Sequence, residues 1–116
     1  MITPGRYNIT CYQGATFDRT FTVEIDDAPL NLTGYSAAMQ VRSTLDSSTA
    51  VVSLTSGSGI TLGGTAGTIG VTIASTATAA LESEQYVYDL EITSGGGVTD
   101  RILMGNFIVN GEVTRG

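Results

Sequence analysis

Apolar and polar residues alternate with a period of two along most of the chain. One such run contains Tyr7, Ile9 and Cys11 on one face, and another extends through residues 17–25, where Arg19 interrupts the apolar face. This period is typical of β-strands with one buried face, because successive side chains point to opposite sides of a strand. The pattern predicts an all-β protein with Cys11 buried, and with Arg19 either near a sheet edge or reaching solvent with its head group.

The clearest alternation lies in the sequence QYVYDLEITSGGGVTDRILMGNFIVN. Residues 86–92 and residues 101–109 each read as a strand, and the Gly-rich segment between them reads as a tight turn. We predict that these two strands form the central hairpin of the fold. The candidate core residues of this hairpin are Tyr86, Leu90, Ile102 and Met104.

Shorter strands and turns occupy the rest of the sequence. The turn formers of residues 26–35 end the second strand, and Ala37, Met39 and Val41 form the inward face of a third. The Ala-rich segment 75–85 predicts one short helical turn near residues 76–83. We expect Tyr86 or Tyr88, which follow this turn, to hydrogen-bond back across it.

The spacing of these elements favours one architecture. About seven or eight short strands, separated by Gly, Ser, Thr, Asn and Asp, predict an immunoglobulin-like antiparallel β-sandwich. A small β-barrel is the competing shape. At 116 residues the chain reads as a single β-sandwich domain, 1–116, with extended terminal arms.

The composition limits the kinds of catalytic and metal-binding site that the chain can form. The chain has no His and a single Cys, which argues against imidazole-based catalysis and most zinc sites. Its acidic residues fall in turns or on outward faces, where we interpret them as solvated surface. No segment has the spacing of a calcium loop or a phosphate-binding loop. We therefore expect a protein that is not an enzyme and that has no cofactor and no metal site.

Charge and hydropathy bear on partners. The net charge is −6, and the five basic residues, all Arg, form no basic stripe, so nucleic acid is not an expected partner. The sequence has no apolar stretch of about 18 residues and no charged leader followed by an apolar run. We therefore expect no membrane span and no signal peptide, and hence a soluble protein that is made without the secretory pathway.

Three segments together resemble a known group of proteins. They are ITPGRYNITCYQGATFDRTFTV, LNLTGYSAAMQVRS and ATAALESEQYVYDLEITSGGGVTDRILMGNFIVNGEVTR. The chain is similar in these segments to small virion-associated proteins of tailed bacteriophages, and to the immunoglobulin-like domain that begins some phage upper baseplate proteins. The resemblance implies a structural subunit of the virion, made in the bacterial host cytoplasm. Its implied partners are other virion proteins of the capsid, neck, tail or baseplate, and copies of itself.

The resemblance leaves several roles open. A head decoration, a neck or tail component and a baseplate accessory subunit all fit it, and an assembly chaperone is a further option. The alternative from another class is a carbohydrate or host-surface binding module, for which the outward Tyr12 is the clearest aromatic residue. The terminal segments are either arms onto neighbouring subunits or frayed ends. The interface candidates are Met1, Ile2, Thr3, Pro4, Arg6, Tyr12, Glu112, Val113, Thr114 and Arg115.

Overall fold

The computed structural model describes residues 5–25 and 27–111, and within them the chain is almost entirely β-structure. The strands are β1 Gly5–Arg6, β2 Ile9–Tyr12, β3 Phe17–Thr22, β4 Glu24–Ile25, β5 Ala28–Pro29, β6 Ser36–Arg42, β7 Val52–Ser56, β8 Gly59–Leu62, β9 Thr68–Ile73, β10 Gln85–Thr93 and β11 Thr99–Asn110. A 3-10 turn covers Gly64–Ala66, and the helix α1 covers Ser75–Ala79. The predicted all-β class is confirmed, and the helical turn lies where the sequence predicted one.

Nine of these strands form one continuous sheet. Its order is β1, β11, β10, β6, β7, β8, β9, β3, and β2 pairs with β11 as β1 does. The pairings are antiparallel except where β1 and β2 join β11 and where β7 meets β8. The strand neighbours in this order match those of an immunoglobulin-like sandwich, in which β1, β2, β11, β10, β6 and β7 form one layer and β8, β9 and β3 form the other. The short β7–β8 pairing links the two layers.

The core lies between the two layers. Ala37, Met39 and Val41 of β6 are buried, as the alternation predicted. The rings of Phe17 in β3 and Phe107 in β11 lie 6.2 Å apart between centroids, although these strands are near opposite ends of the sheet order. The sheet therefore closes on itself around one core. Cys11 is fully buried there, and its burial raises the pKa of the thiol.

The central hairpin is present, but one of its predicted core residues is wrong. Tyr86, Leu90 and Ile102 are buried, whereas Met104 is half-exposed on the outer face. The cause is a β-bulge: Leu90 pairs with Leu103 and Glu91 with Arg101, which leaves Ile102 as an extra residue in β11. Because the bulge shifts the alternation by one residue, Gly105 and Phe107 point inward instead.

The second predicted strand is also shorter in the structure than the apolar alternation in the sequence predicts. The apolar alternation extends to Ile25, but β3 ends at Thr22, and Ile25 is 43% exposed. The Val23 backbone is held by neighbours, because its N–H donates to Gly67 O at 2.8 Å and its carbonyl accepts from Leu30 N at 2.8 Å. The chain therefore leaves the main sheet and forms a separate two-stranded hairpin, β4–β5.

Tyr86 forms the tyrosine corner between α1 and β10. Its hydroxyl accepts from Glu82 N at 3.1 Å and donates to Glu82 O at 3.0 Å. Burial, and then the charge of Glu84, raise the pKa of Tyr86, which keeps the hydroxyl protonated and able to donate. Of the two candidate tyrosines, Tyr86 is the one that bonds back across the turn.

Tyr88 instead fixes the N-terminal edge of the sheet. Its hydroxyl donates to Tyr7 O at 2.6 Å, and burial raises the pKa of Tyr88 to about 12. Tyr7 N donates in turn to Met104 O at 2.9 Å. Gly105 makes this approach possible, because a Cβ at that position would overlap the carbonyl group of Tyr7.

We predict that Tyr86→Phe lowers the free energy of unfolding by about 1 kcal/mol, the usual contribution of one hydrogen bond, because both corner bonds are lost while the ring packing is kept. Denaturant unfolding measures the change. Tyr12→Phe is the matched control, since Tyr12 is exposed and its hydroxyl has no hydrogen-bond partner among the described residues. Equal effects of the two substitutions would contradict the corner assignment.

We predict that Gly105→Ala lowers the free energy of unfolding by about 2–3 kcal/mol, because the methyl group must displace the Tyr7 backbone. Hydrogen exchange should show the amides of β2 opening faster. Gly96→Ala is the control, because a Cβ at Gly96 meets only Ser94 Oγ at 3.9 Å. Unchanged exchange in β2 would show that the edge does not depend on this contact.

Candidate functional site

A concave groove lies on the outer face of the layer that contains β6, β10 and β11. Its volume is about 420 Å³. The residues that line it are Arg6, Gln40, Arg42, Leu45, Val87, Tyr88, Asp89, Arg101, Met104, Gly105 and Asn106. We call it the arginine groove. It is built on strands that are hydrogen-bonded to one another, so its floor is a rigid surface.

Strand register places these side chains in rows across the sheet. One row joins Gln40, Asp89, Met104 and Arg6, which pair in sequence from β6 through β10 and β11 to β1. Directly opposed residues in neighbouring strands have their Cβ atoms about 5 Å apart, so each row is continuous. Met104 lies in the middle of this row because of the bulge in β11.

The next row along the sheet is shorter. It joins Arg42, Val87 and Asn106 across β6, β10 and β11. Val87 and Met104 are the apolar side chains of the floor, and Leu45, from the loop after β6, is 83% exposed beside them. The groove therefore combines an apolar floor with a polar and cationic rim.

The charge of the groove is opposite to that of the chain. Arg6, Arg42 and Arg101 are three of the five basic residues, and Asp89 is the one carboxylate in the lining. Three positive charges and one negative charge leave a local balance of +2, whereas the chain carries −6. An anionic group would therefore be attracted to this surface and repelled by much of the rest.

The three guanidinium groups differ in their partners. Arg101 Nε lies 3.3 Å from Asp89 Oδ2, with the two side chains 46% and 36% exposed. Arg42 donates from Nη1 to Ser47 O and from Nη2 to Gln40 Oε1, both at 2.7 Å, so neutral acceptors hold its position while its charge stays unpaired. Arg6 is exposed and forms no ion pair within the described part of the chain. Arg6 and Arg42 are thus the two groove cations without an anionic partner among the described residues.

Guanidinium groups bind carboxylates through paired hydrogen bonds, which is the chemistry this rim can offer. Among residues 5–25 and 27–111 there is no group of three or more His, Cys, Asp or Glu side chains that could hold a metal ion. In the same residues no helix is long and apolar enough to cross a membrane.

Both ends of the sheet order present a free strand edge in the described structure. β3 is paired with β9 alone, and β2 with β11 alone. Arg19 lies on β3, as expected for a residue near a sheet edge, with its guanidinium carbon 5.9 Å from the ring centres of Tyr7 and Phe17. Its side chain also donates to the Tyr7 hydroxyl. A charged side chain at an edge disfavours unwanted strand pairing.

A second hollow, of about 510 Å³, lies beside α1. Glu82 and Glu84 are its charged lining residues, and both side chains are exposed. This surface is acidic and has no Arg in its lining. It is therefore unlike the arginine groove and is a useful reference surface of opposite charge.

The predicted interface residues separate into three groups. Arg6 lies in the groove. Tyr12, the last residue of β2, is 61% exposed but does not line the groove. Eight others, Met1, Ile2, Thr3, Pro4, Glu112, Val113, Thr114 and Arg115, lie outside the described residues. Their role as arms remains a prediction.

Sequence reasoning missed Arg42 and Arg101. Arg42 alternates with the buried residues of β6, so its outward position could have been found from the period of two. Arg101 precedes the bulge, where the alternation fails. What no local pattern could show is that Arg6, Arg42 and Arg101 converge, since they are far apart in the sequence and meet only through strand pairing.

We predict that Arg101→Gln changes the free energy of unfolding by about 0.5 kcal/mol or less, because an exposed ion pair contributes little to stability. Thermal and denaturant unfolding measure it, with Asp89→Asn as the matched variant that removes the other partner. A loss well above about 1 kcal/mol in both would show that the Arg101–Asp89 pair serves the fold.

The sequence matches no family model and no curated protein sequence.

Proposed function

We propose that this protein is a non-enzymatic structural component of a tailed-phage virion that acts through protein–protein contacts. The observation that carries the contact role is the arginine groove, an exposed cationic surface with an apolar floor on an acidic protein. The phage setting is supported by the resemblance of the LNLTGY and EVTR segments to virion-associated proteins.

The residue types of the groove are those that favour protein contacts. Arg and Met are enriched at protein–protein interfaces relative to the rest of the surface, whereas Lys is depleted. The groove has three Arg and one Met, and the whole chain has no Lys. An apolar floor with a charged rim is also the usual arrangement of an interface, since the centre excludes water and the rim fixes orientation.

The overall composition supports a surface that is partly covered by neighbours. Charged residues make up 14% of the chain, against about a quarter in an average globular domain. A free protein uses exposed charge to stay dispersed, so a low charge content suits a subunit packed into an assembly. The free edges of β2 and β3 are further surfaces at which a neighbour could pair.

The second candidate function is carbohydrate or host-surface binding. The observation in its favour is Tyr12, whose ring is 61% exposed at the sheet edge and could stack on a sugar. A glycan array tests this function. Binding that is abolished by Tyr12→Ala and unchanged by Arg42→Ala would favour carbohydrate binding over the virion structural role.

We predict that the chain is a stoichiometric part of the phage particle. Mass spectrometry of purified particles, with quantitation against the major capsid and tail-tube proteins, measures its copy number. Copies in the hundreds would place it on the head or along the tail tube, and about six to a few dozen would place it at the neck or baseplate, since phage parts follow closed symmetry. The control is a host protein of similar abundance, which should be absent after the same purification. Absence of the chain as well would overturn the structural role and favour an assembly factor.

A further inference from the structure

The β4–β5 hairpin stands apart from the rest of the fold. Glu24, Ile25, Ala28 and Pro29 pair only within the hairpin, and all four are exposed. Its turn contains Asp27, which is exposed and has a positive φ of 65°. The hairpin therefore offers one exposed apolar side chain, Ile25, with the carboxylates of Glu24 and Asp27 within two residues of it in the sequence. This is the chemical complement of the arginine groove, which has an apolar floor flanked by guanidinium groups.

The hairpin and the groove lie on different layers of the same molecule. The hairpin continues from β3, at the edge of the β8–β9–β3 layer, whereas the groove is on the outer face of β6, β10 and β11. The sandwich core separates them, since Phe17 of β3 packs on Phe107 of β11 from the inside. The hairpin is thus positioned to meet the groove of another molecule.

We propose that the β4–β5 hairpin of one copy binds in the arginine groove of a second copy. This contact rests on the proposed function, because it assumes a subunit that acts through protein–protein contacts. It makes a second copy of the chain the first partner of the subunit. Ile25 would cover Val87 and Met104, while Glu24, on the opposite face of β4, and Asp27, in the turn, would bind Arg6 and Arg42 at the rim of the groove.

The charges of the two surfaces support this pairing. Arg101 already has Asp89 as its partner, so Arg6 and Arg42 are the two groove arginines without an ion pair among the described residues. The hairpin supplies two carboxylates from its described residues, Glu24 and Asp27, and neither forms an ion pair with a described residue. Self-association would thus pair two cations with two anions in each contact. The other exposed carboxylate pair, Glu82 and Glu84, has no large exposed apolar side chain between its members.

The proposed contact is heterologous, because two different surfaces of the same chain meet. Such a contact leaves one free hairpin and one free groove on every pair of molecules, so further copies can add until a ring closes or a filament grows. A contact of this kind would give a virion subunit a way of forming a symmetric ring without any other protein.

The test uses three double variants of the whole chain, each followed by analytical ultracentrifugation. Arg6→Glu with Arg42→Glu reverses two positive charges of the groove. Glu24→Gln with Asp27→Asn removes two negative charges of the hairpin. Asn tolerates the positive φ at position 27, so the turn is kept. Glu82→Gln with Glu84→Gln is the matched control, because it removes two exposed carboxylates from another surface.

We expect the unmodified chain to self-associate in a manner that weakens with added salt. The groove and hairpin variants should each raise the dissociation constant about tenfold or more, while the control leaves it unchanged. An equimolar mixture of the groove and hairpin variants should form a 1:1 complex that grows no further, because each variant keeps one working surface. A monomeric unmodified chain at ~1 mM, or a mixture that stays monomeric, would overturn the proposal.

Folding of the variants is checked by circular dichroism and thermal unfolding. Arg6→Glu alone provides a second route, since the Arg6 side chain makes no hydrogen bond or ion pair within the described residues and its replacement should not affect the fold. Cross-linking of purified particles separates the two proposals. A chain that is present in particles but does not self-associate would sink this contact and leave the virion role. A chain that self-associates but is absent from particles would keep this contact and overturn the virion role.

Discussion

The packing of β3 against β11 is the contact on which the rest of the structure depends. The sheet is continuous from β2 to β3 and has one apolar face, so that face is buried only if the two ends of the sheet come together. Phe17 and Phe107 make this contact in the interior, and Tyr7 and Phe21 repeat it nearer the surface, with ring centres 5.6 Å apart. Closing the sandwich turns the opposite face of β6, β10 and β11 outward, and the arginine groove lies on that face.

Much of this fold could be predicted from the sequence because one physical rule, the period of two, holds along most strands. It identified the inward face of β6, the central hairpin and the burial of Cys11. It failed at Met104, where the bulge adds a residue, and at Ile25, where backbone hydrogen bonds to Gly67 and Leu30 turn the chain out of the sheet. Both failures arise from tertiary contacts, to which a local pattern is blind.

Both failures also fall on the surfaces to which we assign function. The bulge that turns Met104 outward gives the groove its apolar floor, and the early end of β3 gives the β4–β5 hairpin its exposed Ile25. Apolar residues at these positions are not explained by the core, since neither packs into it. The candidate site could not be predicted from sequence, because it depends on residues that only strand register brings together.

The central claim is that the arginine groove is a contact surface and that its apolar floor is covered in the assembly. Methyl nuclear magnetic resonance of the unmodified chain, recorded over a range of concentrations, tests it most directly. The account predicts that the methyl signals of Ile25, Val87 and Met104 shift together as concentration rises, while those of Val51 and Val98, which are exposed elsewhere, stay fixed. Shifts confined to Val51 and Val98, or to residues of the β2 and β3 edges, would contradict it.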